Sequence, residues 1–135
     1  MEMPSKPTEP KERFWTSKSI EKLAKMFALP NNNAMQDWPY EVSDPNRTEE
    51  FFDALEHFKT DEDTQYTLMD LILQSLEESQ IELSDSKLVN SLRRYLKRNY
   101  AIHAHQIWYW ATFDTELTDA WRISPFLRDI WNDMK

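Results

Sequence analysis

Apolar residues recur along most of the chain at the spacing of an amphipathic helix. The first such stripe lies between Ser17 and Leu29 and stops at Pro30, which does not continue a helix. Residues three and four apart share one side of a helix, so this stripe predicts a first helix with Thr16 as its N-terminal cap. Its apolar residues are Ile20, Leu23, Ala24, Phe27 and Ala28.

Two further helices are predicted where a capping signal precedes an apolar stripe. Asp44 and Pro45 start the second helix, because Asp accepts a hydrogen bond from the first turn and Pro has a preset φ. Residues 60–63, Thr-Asp-Glu-Asp, resemble a capping box with an acidic first turn and start the third helix. The second helix is expected to bury Phe51, Leu55 and Phe58, and the third Tyr66, Leu68, Met69, Ile72, Leu73 and Leu76.

The remainder of the chain predicts up to three more helices. Residues 84–86 offer a cap for a fourth helix, and Ser124 with Pro125 starts a short terminal one. Between them, Tyr100 to Phe113 suits a strand by its aromatic and β-branched residues and a helix by its spacing. We favour the helix, since tight hairpins usually need a glycine turn and this chain has no glycine, but a short β-hairpin around residues 107–123 stays open.

Together these elements predict an all-α fold, a small single-domain bundle of five to six helices over residues 14–135. Residues 35–43 are expected to be irregular or briefly extended. Residues 1–13 alternate charge with proline and are too polar to bury themselves, so we expect a mobile tail. A chain of 135 residues buries enough surface to form a core without a disulfide or a metal.

The absence of two residue types removes several kinds of active site. The chain has no glycine, so P-loops, dinucleotide-binding turns, EF-hand loops and G-x-S-x-G elbows are excluded. It also has no cysteine, which excludes thiol catalysis, disulfides and thiolate metal sites. No apolar stretch is long enough for a signal peptide or a membrane span, so we expect a cytoplasmic protein that does not enter the membrane.

Charge is strongly segregated along the chain. The sequence has 16 basic and 24 acidic residues, a net charge of -8. Residues 37–86 hold fifteen acidic residues against two basic ones, Arg47 and Lys59. We expect these carboxylates to gather into a continuous exposed surface, which would repel nucleic acid and membranes and steer a basic partner toward it. An alternative interpretation stays open, in which these carboxylates only form the solvated outer faces of two helices.

Residues 87–113 have the opposite character, with five basic residues and no acidic one. On a helix Lys87, Arg94 and Arg98 share one side, flanked by Arg93 and Lys97, and such a stripe can neutralise phosphates. No recognition-helix or RNA-platform motif accompanies it, and the chain as a whole is acidic. We therefore favour charge balance within the fold and do not expect direct nucleic-acid binding.

Candidate catalytic and metal-binding groups lack a selecting pattern. His103 and His105 would share one face of a strand as half of a metal site, but on a helix they diverge by about 200°. With twenty-four acidic residues, carboxylate pairs arise by chance, and no serine sits in a recognisable nucleophile elbow. We expect neither an enzyme nor a cofactor or bound metal.

Partner-binding residues are predicted where aromatic anchors accompany carboxylates. Trp38 and Tyr40 are the preferred anchors, because prolines keep their segment out of a regular element and loop aromatics often serve recognition. Three consecutive aromatic residues, 108–110, cannot all face inward on one helix, so at least one should be exposed or cover a neighbouring element. The carboxylates expected to bind are Asp37, Glu41, Asp53, Glu56, Asp61, Glu62 and Asp63.

These observations favour an acidic protein–protein interaction module that binds and inhibits or recruits a basic partner, such as a nuclease-like toxin or another nucleic-acid-binding enzyme. In size and acidity the chain is similar to bacterial immunity proteins and small acidic inhibitors of such enzymes, a similarity of class that assigns no residue roles. The alternative is a helical adaptor or subunit of a larger complex whose basic helix, residues 87–98, contacts nucleic acid. A third hypothesis, a metal-dependent hydrolase using His103 and His105, has less support.

Overall fold

The computed structural model describes residues 7–84 and 86–135, and the regular elements within them are all helices. The all-α prediction is confirmed, with seven α-helices and two short 3₁₀ helices in this part of the chain, more than the five to six expected. Residues 107–111 lie inside a helix, which excludes the alternative hairpin. The elements are α1 (Ser17–Phe27), α2 (Trp38–Glu41), η1 (Pro45–Arg47), α3 (Thr48–Asp53), η2 (Ala54–Phe58), α4 (Glu62–Glu78), α5 (Lys87–Arg98), α6 (Tyr100–Ala111) and α7 (Ser124–Asp133).

Two compact units make up the chain. The α4 unit is Phe14–Leu92, and the α6 unit joins the described N-terminal residues, 7–13, to Arg93–Lys135. The boundary between them falls inside α5. A single domain over residues 14–135 stays a prediction, as does the mobility of residues 1–13, of which residues 1–6 lie outside the described part of the chain.

Helix α4 is the core of the α4 unit. The helices α1, α2 and α3 and both 3₁₀ helices pack against it. Every residue from Thr64 to Leu73 is buried, so the middle of this helix is enclosed on all sides rather than amphipathic. The six apolar residues that the sequence assigns to its core are all buried, as predicted.

Helix α1 begins where the sequence predicts. Thr16 Oγ1 accepts the N–H of Ser19 at 3.1 Å, and Ser19 Oγ accepts the N–H of Thr16 at 3.2 Å, which is a reciprocal cap. The helix ends short of the predicted Leu29, where Ala28 takes a left-handed conformation with φ 55°. Glycine usually fills such a position, and this chain has none.

The prediction of an irregular segment over residues 35–43 is wrong for Trp38–Glu41, which form α2. Pro39 suits the first turn, because the N–H that it lacks would have no partner there. Glu41 Oε2 accepts the N–H of Asp37 at 2.9 Å and closes the turn. Short-range capping therefore makes a helix from residues whose proline content suggests an irregular segment.

The predicted second helix starts at the expected place but is divided. Asp44 Oδ1 accepts the N–H of Asn46 at 3.0 Å, as predicted for its cap. Three short helices, η1, α3 and η2, then follow without a gap. The N–H of Ala54 is shared among the carbonyls of residues 50–52, which is typical of a change from α to 3₁₀ geometry.

Asp61, rather than Thr60, caps α4. Its Oδ1 accepts the N–H of Thr64 at 3.1 Å, and its Oδ2 accepts the Thr64 hydroxyl at 2.7 Å. At the start of α5, Ser86 Oγ accepts the N–H of Val89 at 3.4 Å, while Asp85 of the predicted cap lies outside the described residues. Both helices thus start at side-chain oxygens of the predicted segments.

Helices α6 and α7 form the body of the α6 unit and pack against each other. Thr112 ends α6 in a left-handed conformation with φ 45°. Arg128, on α7, donates to three carbonyl oxygens there, those of Ala111 at 2.7 Å and of Thr112 and Thr115 at 2.6 Å. A side chain therefore satisfies the carboxyl end of a helix that lacks a glycine cap.

Candidate partner-binding surface

Exposed carboxylates concentrate on α3, η2 and the first turn of α4. Both α3 and η2 pack against α4, so these carboxylates lie on adjoining elements of the α4 unit. Within residues 49–63, Lys59 is the one lysine or arginine. We call the exposed carboxylates of this stretch the acidic ridge: Glu49, Glu50, Asp53, Glu56, Glu62 and Asp63.

The acidic ridge faces solvent because residues between its members turn inward. Phe51 on α3 and Leu55 on η2 are buried, as the sequence predicts. Positions three and four apart share one side of a helix, which aligns Glu49 with Asp53 and Asp53 with Glu56. Three carboxylates therefore follow one another along the same edge of these two elements.

Glu50 is partly neutralised by Arg47. Arg47 Nη2 lies 2.8 Å from Glu50 Oε2, and this hydrogen bond lowers the pKa of Glu50. The same guanidinium packs over the rings of Phe27 and Phe51, at 5.6 and 5.1 Å, and donates to the carbonyl of Phe27 at 3.1 Å. Within the acidic ridge, Glu50 therefore also helps to join α1 to α3.

Asp61 is already engaged within the fold. Besides capping α4, its Oδ2 lies 2.6 Å from Lys22 Nζ on α1. Burial acts to raise the pKa of Asp61, but the hydrogen bonds from Lys22 and Thr64 outweigh it and lower the pKa. We therefore leave Asp61 out of the acidic ridge, because it stabilises the start of the helix that bears Glu62 and Asp63.

The predicted partner-binding residues fall into two groups on the α4 unit. Ser43, two residues beyond the end of α2, donates to Glu78 Oε1 at 2.7 Å, so the end of α2 lies near the C-terminal end of α4. Glu62 and Asp63 occupy the first turn of α4, about 24 Å away along a helix of this length. The α2 group, which consists of exposed Asp37 and Glu41 with half-buried Tyr40, therefore lies far from Glu62 and Asp63 of the acidic ridge.

The expectation that all carboxylates of residues 37–86 gather on one exposed surface is wrong for Asp70 and Asp44. Asp70, in the middle of α4, is only 3% exposed, and its Oδ2 accepts the indole N–H of Trp15 at 2.8 Å. Asp44 is half-buried and serves as a helix cap. The exposed negative surface is therefore narrower than the run of charge in the sequence, because caps and buried contacts use part of that charge.

The prediction that Trp38 is an exposed anchor is also wrong. Its side chain is 1% exposed, and its indole N–H donates to the carbonyl of Pro30 at 2.7 Å. The turn of α2 directs it inward, so Trp38 stabilises the unit itself. Tyr40 is half-buried, and its ring lies edge-on to that of Trp15 at 5.3 Å. Of the two predicted anchors, only part of Tyr40 is open to a partner.

Exposed aromatic residues that sequence reasoning did not select lie in the α6 unit. Tyr109 is 44% exposed and Trp121 is 41% exposed, and their ring centroids lie 5.9 and 5.4 Å from that of Trp110. The exposure of Tyr109 confirms that residues 108–110 do not all face inward on their helix. Trp121 lies between α6 and α7, and its position outside a predicted helix is the one sequence signal that points to its exposure.

The basic helix α5 uses two of its cations inside the α6 unit. Lys97 Nζ lies 2.7 Å from Asp133 Oδ2, and this hydrogen bond lowers the pKa of Asp133. Arg93 packs over the ring of Phe126 at 4.9 Å. These two contacts are charge balance and packing within the fold, as the favoured interpretation expects. The exposed cations of α5 are Lys87, Arg94 and Arg98.

His103 and His105 have different partners, as expected on a helix. His103 is buried, with Nδ1 2.7 Å from Gln106 Oε1 and Nε2 3.0 Å from the Tyr95 hydroxyl. Burial lowers the pKa of His103 to about 4, so its ring is neutral, donates from Nδ1 and accepts at Nε2. His105 Nε2 lies 2.8 Å from Glu9 Oε2. In residues 7–84 and 86–135, no group of three or more His, Asp or Glu side chains is placed to hold a metal ion.

No helix in the described part of the chain is long and apolar enough to cross a membrane. The comparisons with known proteins find no family model, curated protein or solved structure that matches the chain. A functional proposal therefore depends on the surface itself.

Proposed function

We propose that this chain is an acidic protein–protein interaction module that binds, and inhibits or recruits, a basic partner, and that it does not catalyse a reaction. The observation that carries the proposal is the acidic ridge, whose exposed carboxylates lie on adjoining elements with Lys59 as the one lysine or arginine among them. The α4 unit holds sixteen acidic and six basic residues, a net charge of -10. Such a field attracts cationic surfaces over a screening length of about 8 Å at physiological salt.

The class of partner follows from the spacing of the carboxylates. Successive turns of helix present negative charge at intervals, as a phosphate backbone does, so the fitting partner is a nucleic-acid-binding surface rich in Lys and Arg. Bound there, the acidic ridge would take positions that phosphates otherwise occupy. A nuclease-like toxin or another nucleic-acid-binding enzyme suits this mechanism, and its inhibition would be by occlusion.

The helices that carry the acidic ridge are anchored in the fold, which favours fast and specific association. Phe51 and Leu55 anchor α3 and η2 in the core, and Asp61 holds the start of α4 to Lys22. Because these elements are already fixed, little conformational entropy is lost on binding. Charges at the rim of such a complex mainly raise the association rate, by about ten- to a thousand-fold at low salt.

Charge reversal with a matched control tests the proposal. Two triple variants change the net charge of the chain by the same amount and differ only in where the change lies. The ridge variant replaces three exposed carboxylates by lysine: Asp53, Glu56 and Asp63. The control variant replaces three exposed carboxylates of the α6 unit by lysine: Glu116, Asp119 and Asp129.

Each chain serves as bait for an affinity pull-down from the native host, at low and at moderate salt, followed by mass spectrometry. The proposal predicts that the unchanged chain and the control variant capture the same basic protein at low salt and release it at moderate salt. The ridge variant should fail to capture it, although circular dichroism shows the same helix content. Capture by the ridge variant at the level of the control would contradict the proposal, and so would capture that salt does not weaken.

A second candidate function, contact with nucleic acid through α5, is favoured by one observation. Lys87, Arg94 and Arg98 are exposed and lie on one side of the helix. In this proposal the chain is a helical adaptor or subunit of a larger complex. A mobility shift of DNA or RNA at physiological salt, lost in Arg98→Glu and kept in the ridge variant, would support it, whereas the absence of any shift would exclude it.

A further inference from the structure

The described N-terminal residues contact α6 through two hydrogen bonds. The indole N–H of Trp108 donates to the carbonyl oxygen of Pro7 at 3.2 Å, and His105 Nε2 donates to Glu9 Oε2 at 2.8 Å. His105 and Trp108 are three positions apart, so they lie on one side of α6, and their ring centroids are 5.5 Å apart. An aromatic pair on a helix thus receives a segment that is 96 to 101 residues distant in the sequence.

Residues 7–13 show the period of a polyproline II helix. Pro7, Pro10 and Arg13 are half-buried, and the four residues between them are exposed. Polyproline II has about three residues per turn, which places every third side chain on the same side. Each proline fixes φ near the value of this conformation and restricts the residue before it to extended geometry. The segment therefore has the exposure pattern and the sequence of a polyproline II strand, and it lies outside any helix.

These contacts have the chemistry of proline-peptide recognition. A polyproline II segment makes no internal hydrogen bonds, so its carbonyl oxygens remain available to a donor such as the Trp108 indole. Aromatic surfaces bind such peptides well, because the peptide already has its bound conformation and loses little entropy. The contact of His105 with Glu9 adds a preference for a carboxylate two residues after the first proline.

We propose that the side of α6 bearing His105 and Trp108 is a binding site for a Pro-x-Glu-Pro segment of a partner protein, and that residues 7–10 of this chain occupy the site and hold it closed. Residues 7–10, Pro-Thr-Glu-Pro, are themselves such a segment. The closure is reversible, because the Glu9 side chain is 50% exposed and water competes for its hydrogen bond. This site belongs to the α6 unit and is independent of the acidic ridge.

Opening the site in the full chain tests the proposal. The opened variant carries Pro7→Ala, Glu9→Lys and Pro10→Ala. These changes remove the carboxylate that binds His105 and the two prolines that favour the extended conformation, although residue 7 keeps its carbonyl oxygen. The closed control carries Thr8→Ala and Lys11→Ala, which alter exposed neighbours in the same stretch. All substitutions lie outside the helices, so the two variants should keep the helix content of the unchanged chain.

The probe is the synthetic peptide PTEPKER, which repeats residues 7–13, and the reporter is the indole N–H resonance of Trp108 in an NMR spectrum. This resonance is assigned by its loss in Trp108→Phe. We expect it to move when the opened variant is titrated with PTEPKER. The closed control should bind about tenfold more weakly, because a site that is closed in about nine molecules of ten loses that much apparent affinity. The peptide ATEAKER, which lacks both prolines, should leave the resonance unmoved.

A second comparison tests the role assigned to His105. The opened variant should bind PTEPKER more tightly than PTQPKER, which lacks the carboxylate. Adding His105→Ala should remove this preference while binding to PTQPKER is retained. If His105 has only a structural role, His105→Ala should weaken the binding of both peptides equally.

Three results would overturn the proposal. The first is an opened variant whose Trp108 resonance does not respond to PTEPKER up to millimolar concentration. The second is equal affinity of the opened variant and the closed control, and the third is an equal response to ATEAKER. The other five tryptophan indole resonances report whether each variant is folded. If the triple substitution disturbs them, the single change Glu9→Lys replaces it in the same experiment.

Discussion

The α4 unit and the α6 unit use their charged residues differently. The α4 unit holds sixteen acidic against six basic residues, whereas the stretches that make up the α6 unit hold eight acidic against ten basic. In the α6 unit, charged side chains close the fold, since Arg128 satisfies the end of α6 and Lys97 pairs with Asp133. In the α4 unit the carboxylates of the acidic ridge extend into solvent instead.

A run of acidic residues in a sequence does not by itself form an exposed negative surface, because the fold uses some of the carboxylates. Of the acidic residues in the α4 unit, Asp44 and Asp61 start helices and Asp70 is buried beside Trp15. The carboxylates that stay exposed include those of the acidic ridge, and their exposure supports the proposed function. Substitutions can separate residues that hold the units together from exposed residues that a partner can contact.

The largest expected effect lies in the core of the α4 unit. Leu73 is fully buried in α4, so Leu73→Ala should leave a cavity and lower the free energy of unfolding by about 2–5 kcal/mol. Phe14, which is 68% exposed in the same unit, is the control, and Phe14→Ala should change the free energy little. Urea unfolding followed by circular dichroism measures both. Equal losses in the two variants would mean that α4 is not the core.

In the α6 unit the largest effect should come from pH, through His103. Burial lowers the pKa of His103 to about 4, and the nearby positive charge of Arg13 acts in the same direction. An unfolded chain has a histidine pKa of about 6.5, so it binds more protons than the folded chain between these values. Stability is therefore fully present above about pH 6.5 and falls by about 3 kcal/mol as the pH drops toward 4.

An NMR titration of the His103 ring measures this pKa directly. The partners of the ring are the Gln106 amide, which does not titrate, and the Tyr95 hydroxyl, whose pKa is raised by burial. Neither partner changes its protonation state between about pH 4 and pH 6.5. A His103 pKa near 6.5 would show that the ring is open to water and would remove the expected pH dependence.

A smaller effect should distinguish two carboxylates of the α4 unit. Asp61→Ala removes the cap of α4 and the contact with Lys22, and it should lower the free energy of unfolding by about 1–2 kcal/mol. Glu56→Ala, at an exposed position of the acidic ridge, should leave stability unchanged within error. Thermal unfolding of the two variants gives the comparison. If Glu56→Ala destabilises as much as Asp61→Ala, this part of the ridge is structural.

The smallest expected effect is a gain in stability. Ala28 has φ 55°, a conformation that glycine adopts without strain, so Ala28→Gly should raise the free energy of unfolding by about 0.5–1 kcal/mol. Thr112 has φ 45° in the α6 unit, but Thr112→Gly also loses the hydrogen bond between its hydroxyl and Ser124 at 2.9 Å. Its gain should therefore be smaller. A loss of stability in Ala28→Gly would argue against the left-handed end of α1.

The start of most helices is predictable from the sequence because capping is local. Thr16 and Asp44 cap their helices with side-chain oxygens, as predicted. Helix α7 begins at the predicted Ser124, but Ile123 is its N-cap residue and no side chain caps it. The helical state of residues 100–111 is also predictable, since a chain without glycine cannot supply the usual tight hairpin turn.

The direction of individual side chains is not predictable in the same way. The burial of Trp38 depends on the carbonyl of Pro30 and on the core, and neither is visible in the local pattern of its segment. Asp70 resembles any other carboxylate of the acidic stretch until α4 brings it to Trp15, 55 residues away. The predicted set of partner-binding residues therefore included a core tryptophan and a structural cap, while Asp53, Glu56, Glu62 and Asp63 remain exposed, as that proposal requires.

The proposed function requires that the acidic ridge attracts and binds a basic surface. Its most direct test is the association rate constant between this chain and its captured partner, measured by surface plasmon resonance over a series of salt concentrations. We expect the rate constant to fall steeply with salt for the unchanged chain and for the control variant. For the ridge variant it should be at least about tenfold lower and nearly independent of salt. A ridge variant with the same rate and the same salt dependence as the control would contradict the account.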